Sequence, residues 1–143
     1  MQEGEKFLEI GTWDGRVAAA VAKRFPKNLV LWIELAPPIY IFARIRKFLA
    51  RNDKNLYIKL WNAFSLNFWD YEHIYVFGMP EALQKKIIPK FLKQARSWAK
   101  LYSYVFSIPE QYKGQVITYG GEYEAKIHIL EKSFSNRLKY LKI

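Results

Sequence analysis

The stretch FLEIGTWDGRVAAAVAKRF, Phe7–Phe25, decides how the rest of the chain is read. Apolar residues run into Glu9, Gly11 and Gly15 flank a turn, and an alanine-rich amphipathic segment follows, with Val17, Ala20, Val21 and Ala22 toward one side. This pattern predicts a strand over Lys6–Ile10, a glycine turn, and a helix over Gly15–Phe25. Such a unit opens many nucleotide- and cofactor-binding domains. Glycine lets the backbone turn tightly near a ligand, and the helix start offers unpaired N–H groups. Trp13 stands where a loop of this kind would carry a further glycine.

Working outward, the chain alternates strand and helix. Asn28–Leu35, NLVLWIEL, is a near-continuous apolar run, as expected of a parallel strand buried on both faces. Pro37-Pro38 precede a helix over Ile39–Arg51, and Asn55–Leu60 forms a third strand. A loop with Asn62, Phe64, Phe68, Trp69 and Tyr71 leads to a fourth strand, His73–Phe77, broken by Gly78-Met79-Pro80. Glu81–Trp98 reads as a helix interrupted near Pro89, and Lys100–Ser107 as a fifth strand ended by Ile108-Pro109. Gln115–Tyr119 and Glu124–Leu130 read as a closing hairpin through Gly120-Gly121. Alternation of this kind implies a mostly parallel sheet with right-handed crossovers. We expect one α/β domain over 1–134 and a basic tail over 135–143.

Composition narrows the chemistry. A 143-residue chain that is 51% hydrophobic and 25% charged suits one globular domain with its own core. Aromatic residues reach 17%, enough to line a site as well as a core. The absence of cysteine excludes disulfides, thiolate metal sites and cysteine nucleophiles. His73 and His128 fall inside predicted strands without the carboxylate spacing of a metal site, so no metal is expected. Neither a Walker A motif nor a G-x-S-x-G elbow occurs. No apolar run approaches the ~18–20 residues of a membrane span. An acidic N-terminus that reaches a strand by Phe7 does not fit a signal peptide, and a cytoplasmic location is expected. The net charge of +10 favours acidic partners: nucleic acid, anionic lipid or an acidic protein patch.

In open α/β sheets the ligand lies beyond the carboxyl ends of the strands. The first strand exits through Glu9-Ile10-Gly11-Thr12-Trp13-Asp14-Gly15, and the second ends in Glu34, about twenty residues on, where an acid takes ribose hydroxyls. The spacing is not G-x-G-x-x-G. Carboxylates at Glu9 and Asp14 would repel a pyrophosphate but suit a ligand carrying an amine and a sulfonium. S-adenosyl-L-methionine (SAM) is such a ligand.

These residues also carry a resemblance. LEIGTWDGRVAAAVAKRF resembles motif I of the seven-stranded, class I SAM-dependent methyltransferases. Within that class the chain is similar to the small protein-lysine methyltransferases, whose G-x-G-D-G-R aligns with Gly11–Arg16 and whose E-L-N-P aligns with Glu34-Leu35-Ala36-Pro37. IYVFGMPEAL resembles that family's fourth-strand exit, and KLYSYVFSIP its fifth strand, with Ser103 and Phe106 in place. The resemblance covers roughly residues 5–130. It implies a three-layer, Rossmann-like sheet of order 3-2-1-4-5-7-6 with the seventh strand antiparallel. It also implies a SAM site in which Glu9 and the backbone of Gly11, Thr12, Trp13, Asp14 and Gly15 hold the methionine moiety. Glu34 would bind the ribose, Leu35 would pack on the adenine, and Asn62, where the family has Asp, would face the adenine amine.

The departures from the family set further expectations. Trp13 replaces a glycine, as Tyr does in the E-I-G-T-Y-T-G of catechol-type O-methyltransferases, which is compatible with SAM if the ring turns away from it. Family members carry an upstream segment with a Pro-Thr-Pro element that covers SAM, whereas here the first strand begins at Lys6. The acceptor the resemblance implies is a protein lysine, whose amine must be neutral to attack. Tyr75, Phe77, Met79, Tyr104 and Phe106, at or near the ends of the central strands, are the candidate walls that would desolvate it. None is assigned as a catalytic base. The alternatives are RNA methylation, from the charge and from aromatics able to stack on bases, and a SAM-binding or interaction protein with little catalysis.

Overall fold

The computed structural model describes residues 1–11, 13–50, 54–112, 115–118 and 126–132. The chain runs β1 (Phe7–Ile10), α1 (Arg16–Arg24), β2 (Val30–Glu34), α2 (Pro37–Ala50), β3 (Leu56–Leu60) and β4 (His73–Phe77). It continues with α3 (Pro80–Ala82), α4 (Ile88–Gln94), β5 (Lys100–Tyr104), β6 (Gln115–Thr118) and β7 (Lys126–Glu131). The strand order is β3-β2-β1-β4-β5-β7-β6. β1 to β5 run parallel, β7 runs antiparallel to β5, and β6 runs antiparallel to β7. The basic tail, and Tyr119, Gly120, Gly121 and Glu124 of the expected hairpin, lie outside the described residues.

Side chains alternate across the sheet and build two cores. On the α3–α4 side, Leu8, Ile10, Leu31, Ile33, Ile74, Val76 and Leu101 pack against Leu83, Ile87, Ile88 and Phe91. Burying each such side chain contributes about 1.5–3 kcal/mol. On the α1–α2 side, Phe7, Val30, Trp32, Leu56, Ile58 and Tyr75 meet Ala18, Ala22 and Ala43. Large residues on the strands face alanines on the helices, so both helices lie close to the sheet. The buried stripe of α1 is Ala18 and Ala22, while Ala20 faces solvent, a one-position rotation from the expected side.

Several boundaries differ from the sequence reading for local reasons. Pro37 and Pro38 belong to α2 rather than preceding it, because a first turn needs no N–H donors from its own residues. Pro89 does not stop its helix. A π-helical turn over Leu83–Ile87 joins α3 to α4 and relieves the clash between the proline ring and the preceding carbonyl. The helix ends at Gln94 instead of Trp98, and Trp98 adopts a positive φ of 72°. β5 ends at Tyr104 because Val105 has a φ of 72°.

His73 bridges two elements. Its Nε2 lies 2.9 Å from Glu5 Oε2 and its Nδ1 lies 2.9 Å from the Tyr102 hydroxyl, tying the N-terminus to β4 and β5. Burial raises the Glu5 pKa, but the His73 and Gln2 hydrogen bonds outweigh it, and the carboxyl sits below its ordinary 4.5. A lowered carboxyl pKa gives stability that is present above the unfolded value and is lost as pH falls through the folded one. We therefore expect Glu5→Gln to flatten the acid limb of a urea-unfolding series below about pH 4.5. An acid limb as steep as that of the parent chain would contradict this assignment.

Candidate functional site

Three strand ends and two turns converge at the carboxyl edge of the sheet. Gly11 and Glu34 each follow the register pair Ile10–Ile33, so the glycine turn and the acid are neighbours. Gly11 has φ +72°, and a Cβ there would stand 2.9 Å from Met79 Cε, so the Met79 thioether rests over the turn. Met79 itself has φ 57° and follows Gly78 at φ 71°, two successive left-handed residues after β4. Val105 after β5 adds a further left-handed residue at this edge, while Trp98 lies before β5 at the other. A β-branched residue with positive φ is a genuine outlier, and such strain collects at functional sites.

The acids take different roles. Glu9 is fully buried, and its carboxylate accepts a hydrogen bond from the Ala18 N–H in the first turn of α1. A carboxylate at a helix N-terminus offsets its own burial through the helix dipole. Glu9 thus holds α1 to β1 and is shut off from solvent. Glu34 is also buried, and its Oε1 accepts from the N–H groups of Leu35 (2.8 Å) and Ala36 (3.0 Å). Those two bonds fix the carboxylate at the strand end, and among the described residues no donor engages Oε2. Asp14 is held by the Arg16 backbone N–H (3.1 Å) and side chain (2.6 Å). Burial alone would raise the Asp14 pKa, but these bonds and the charges of Arg16 and Arg46 lower it.

Asn62 caps a short 3-10 turn, Ala63–Ser65, its Oδ1 accepting from Phe64 N–H at 2.9 Å. The oxygen expected to face an adenine amine is therefore already engaged, with one lone pair left over. Leu35 is 66% exposed at the rim, next to the exposed Trp61. Thr12 lies outside the described residues.

A groove of about 580 Å³ opens on the α1 face of the sheet. Phe7, Tyr75, Phe77, Tyr102, Tyr104 and Ile127 form its floor, and Trp13, Asp14, Arg16 and Val17 form one wall. The rings of Phe77 and Tyr104 stack at 5.8 Å. Burial, reinforced by the Glu9 charge, pushes the Tyr75 hydroxyl up to about 12. Trp13 is 74% exposed at the groove mouth, so its ring stands in solvent and does not fill the turn.

Phe106 is not part of this groove. It packs against the core on the opposite, α3–α4 face, and its carbonyl accepts from Ser103 Oγ at 2.8 Å. The positive φ at Val105 turns the chain away before Phe106 is reached. Three features went unread in the sequence. Tyr102 lies two residues before Tyr104 on the same face, a signal that strict alternation carries. Arg46 of α2 donates to the Asp14 carbonyl at 2.9 Å, and the strain at Val105 has no sequence signature. Among the described residues no group of His, Asp and Glu could hold a metal, and no helix is long and apolar enough to cross a membrane.

No family model matches the sequence, and no curated protein does. Solved structures do match the fold. An RNA methyltransferase from Salinibacter ruber in complex with S-adenosyl-L-homocysteine superposes with a TM-score of 0.75 at 16% identity, covering 91% of this chain and 82% of that one. A methyltransferase from Pyrococcus furiosus gives 0.73 at 16% identity, over 93% of this chain and 77% of that one. A precorrin-6y C5,15-methyltransferase from Geobacter metallireducens gives 0.61 at 17%, over 90% and 80%. The chain has the methyltransferase fold. At these identities the likeness extends to architecture alone.

Proposed function

We propose that this protein is a SAM-dependent methyltransferase whose acceptor is an amine, specifically the side chain of a protein lysine. One observation carries the reading. The Gly11 turn and the fixed Glu34 carboxylate stand side by side at the carboxyl edge, on the fold of the methyltransferases named above. The residues present fit the cofactor. At Gly11 the nearest side chain is that of Met79, and among the described residues no donor takes the Glu34 Oε2 that would meet a ribose hydroxyl. Leu35 presents an exposed apolar face for the adenine, and Asn62 keeps one acceptor position for its amine. Glu9 acts through α1, holding the helix start in place.

SAM supplies an electrophilic methyl group on a sulfonium, and its transfer is an in-line displacement in which positioning dominates. The chain's own contribution is the wall. Tyr75, Phe77 and Tyr104 offer an apolar floor along which a lysine stem would lie, while Met79 rests over the Gly11 turn. Such walls disfavour the charged ammonium and raise the fraction of neutral amine. With its hydroxyl near 12, Tyr75 keeps its proton at neutral pH and is not the base. The acceptor's proton then leaves to solvent before the amine is enclosed.

This gives a kinetic expectation. Tyr75→Phe should lower kcat/KM by less than about 10-fold and leave the shape of its pH profile unchanged, whereas loss of a general base costs ~10²–10⁴-fold. A loss of that size with an altered alkaline limb would assign Tyr75 to proton transfer. The second reading, RNA as the acceptor, is favoured by the net charge of +10. Labelled SAM incubated with the protein and a cell extract separates the two. Protein lysine predicts label that protease removes and RNase leaves, and loss of label with RNase would overturn it.

A further inference from the structure

The outward face of α2 is the most unusual surface among the described residues. Ile41, Phe42, Ile45, Phe48 and Leu49 are each more than half exposed, with Phe48 at 80%. A helix on a globular domain ordinarily turns its polar face outward. Here Ala43 is buried against the sheet, Ile39 and Tyr40 pack beside it, and the large apolar side chains stand in water. At about 100° per residue the five fill an arc of roughly 120°, and Arg44 and Arg46 lie about 40° beyond its two edges. The result is an apolar stripe bracketed by cations.

The five apolar residues of the stripe do not line the groove, and none is among the residues assigned to SAM. Arg44 and Arg46 stay exposed at the stripe's edges and Lys47 is half-buried, each with a contact on the domain. Arg44 lies over the Tyr40 ring, Arg46 donates to the Asp14 carbonyl, and Lys47 reaches the Leu56 carbonyl. Their stems therefore leave the five apolar side chains uncovered. Charge along this part of the sequence is one-sided: from Leu35 to Trp69 there are six basic residues (Arg44, Arg46, Lys47, Arg51, Lys54 and Lys59) and one acid, Asp53.

We propose that α2 docks the protein on an anionic membrane surface, its apolar stripe entering the headgroup–acyl boundary and its flanking basic residues meeting acidic lipid headgroups. A convex stripe of Phe, Ile and Leu with cations at both edges is the pattern of a helix lying in a bilayer interface. Exposed Tyr57 and Trp61 on the adjoining edge add rings suited to the same depth. A second copy is disfavoured, because apposing two α2 faces brings two sets of arginines together on chains of charge +10. A groove on an acidic protein is less well matched. Half of α2 is already embedded in its own domain, which leaves a shallow arc rather than a helix that can be enclosed.

The test is flotation of the full chain with phosphatidylcholine vesicles, with and without 30% phosphatidylserine, at low and high salt. Co-flotation with the serine-containing vesicles alone, weakening as salt rises, is expected. The double variant Ile45→Ser/Phe48→Ser should lower the partition coefficient at least about 30-fold. Arg44→Glu should lower it by about 10-fold with the apolar stripe intact. All the variants should keep the parent's circular dichroism, since the altered side chains stand in solvent. Equal binding to neutral vesicles, unchanged binding of the double variant, or no flotation at all would each overturn the proposal. So would a dimer in sedimentation velocity that the double variant dissolves, which would assign the stripe to a second copy.

Discussion

Gly15→Ala is expected to destabilise the protein by about 2–5 kcal/mol. A left-handed backbone costs a side-chain-bearing residue ~1–2 kcal/mol, and overpacking a filled site costs ~1–3 kcal/mol. Gly15 incurs both, because its φ is +61° and a Cβ would stand 2.2 Å from Trp32 Cζ3. The Trp32 indole is buried in the α1–α2 core, and its Nε1 has no partner among the described residues, so the ring is held by packing and cannot retreat to a better bond. The other glycines provide the controls. At Gly11 the obstacle is the flexible end of Met79, and at Gly4 nothing lies within 4 Å. Urea-unfolding free energies should therefore fall in the order Gly4→Ala, Gly11→Ala, Gly15→Ala, the last being the most damaged. Trp32→Leu introduced beside Gly15→Ala should recover the steric part of the loss but not the backbone part. Equal costs at all three glycines would mean that the indole does not seat the turn.

The second large effect falls on ligand affinity. Glu34→Ala should weaken SAM binding about 5- to 150-fold, the equivalent of the ~1–3 kcal/mol carried by a charge-assisted hydrogen bond. The carboxylate is held in place before any ligand arrives, by two N–H groups onto one oxygen. A preorganised acceptor of this kind loses little entropy on binding. Glu34→Gln is the informative companion, because the amide can still accept from Leu35 and Ala36 while losing the charge. It should fall between the parent and Glu34→Ala. Unchanged affinity in Glu34→Ala would mean that the ribose lies elsewhere.

Much of this was legible because the signals were local. The run Asn28–Leu35 announces a doubly buried strand, and the turn from Glu9 to Gly15 announces a strand end facing a helix start. Register then follows from parallel pairing, which places Gly11 beside Glu34. What the sequence hid came from long-range packing. Glu9 reads as a ligand residue because it is charged and sits at the loop, yet α1 folds over it and takes its carboxylate. Asn62 reads as a ligand to adenine, yet its carbonyl first meets the nearest unpaired N–H, that of Phe64. Phe106 reads as a continuation of β5, yet one residue with positive φ sends it to the other face of the sheet. The pattern of α2 is visible in its letters, but only the fold reveals that the apolar side faces out.

The groove and the turn also bear on Trp13. Its ring stands in solvent at the groove mouth, so replacing a glycine of the loop with tryptophan leaves the turn itself open. The central claim, that this edge of the sheet takes SAM, is tested most directly by isothermal titration of SAM into the folded 143-residue chain. Saturable one-to-one binding, weakened in Glu34→Ala as stated above, is the predicted result. No heat of binding at millimolar SAM, with the protein folded by circular dichroism, would contradict it.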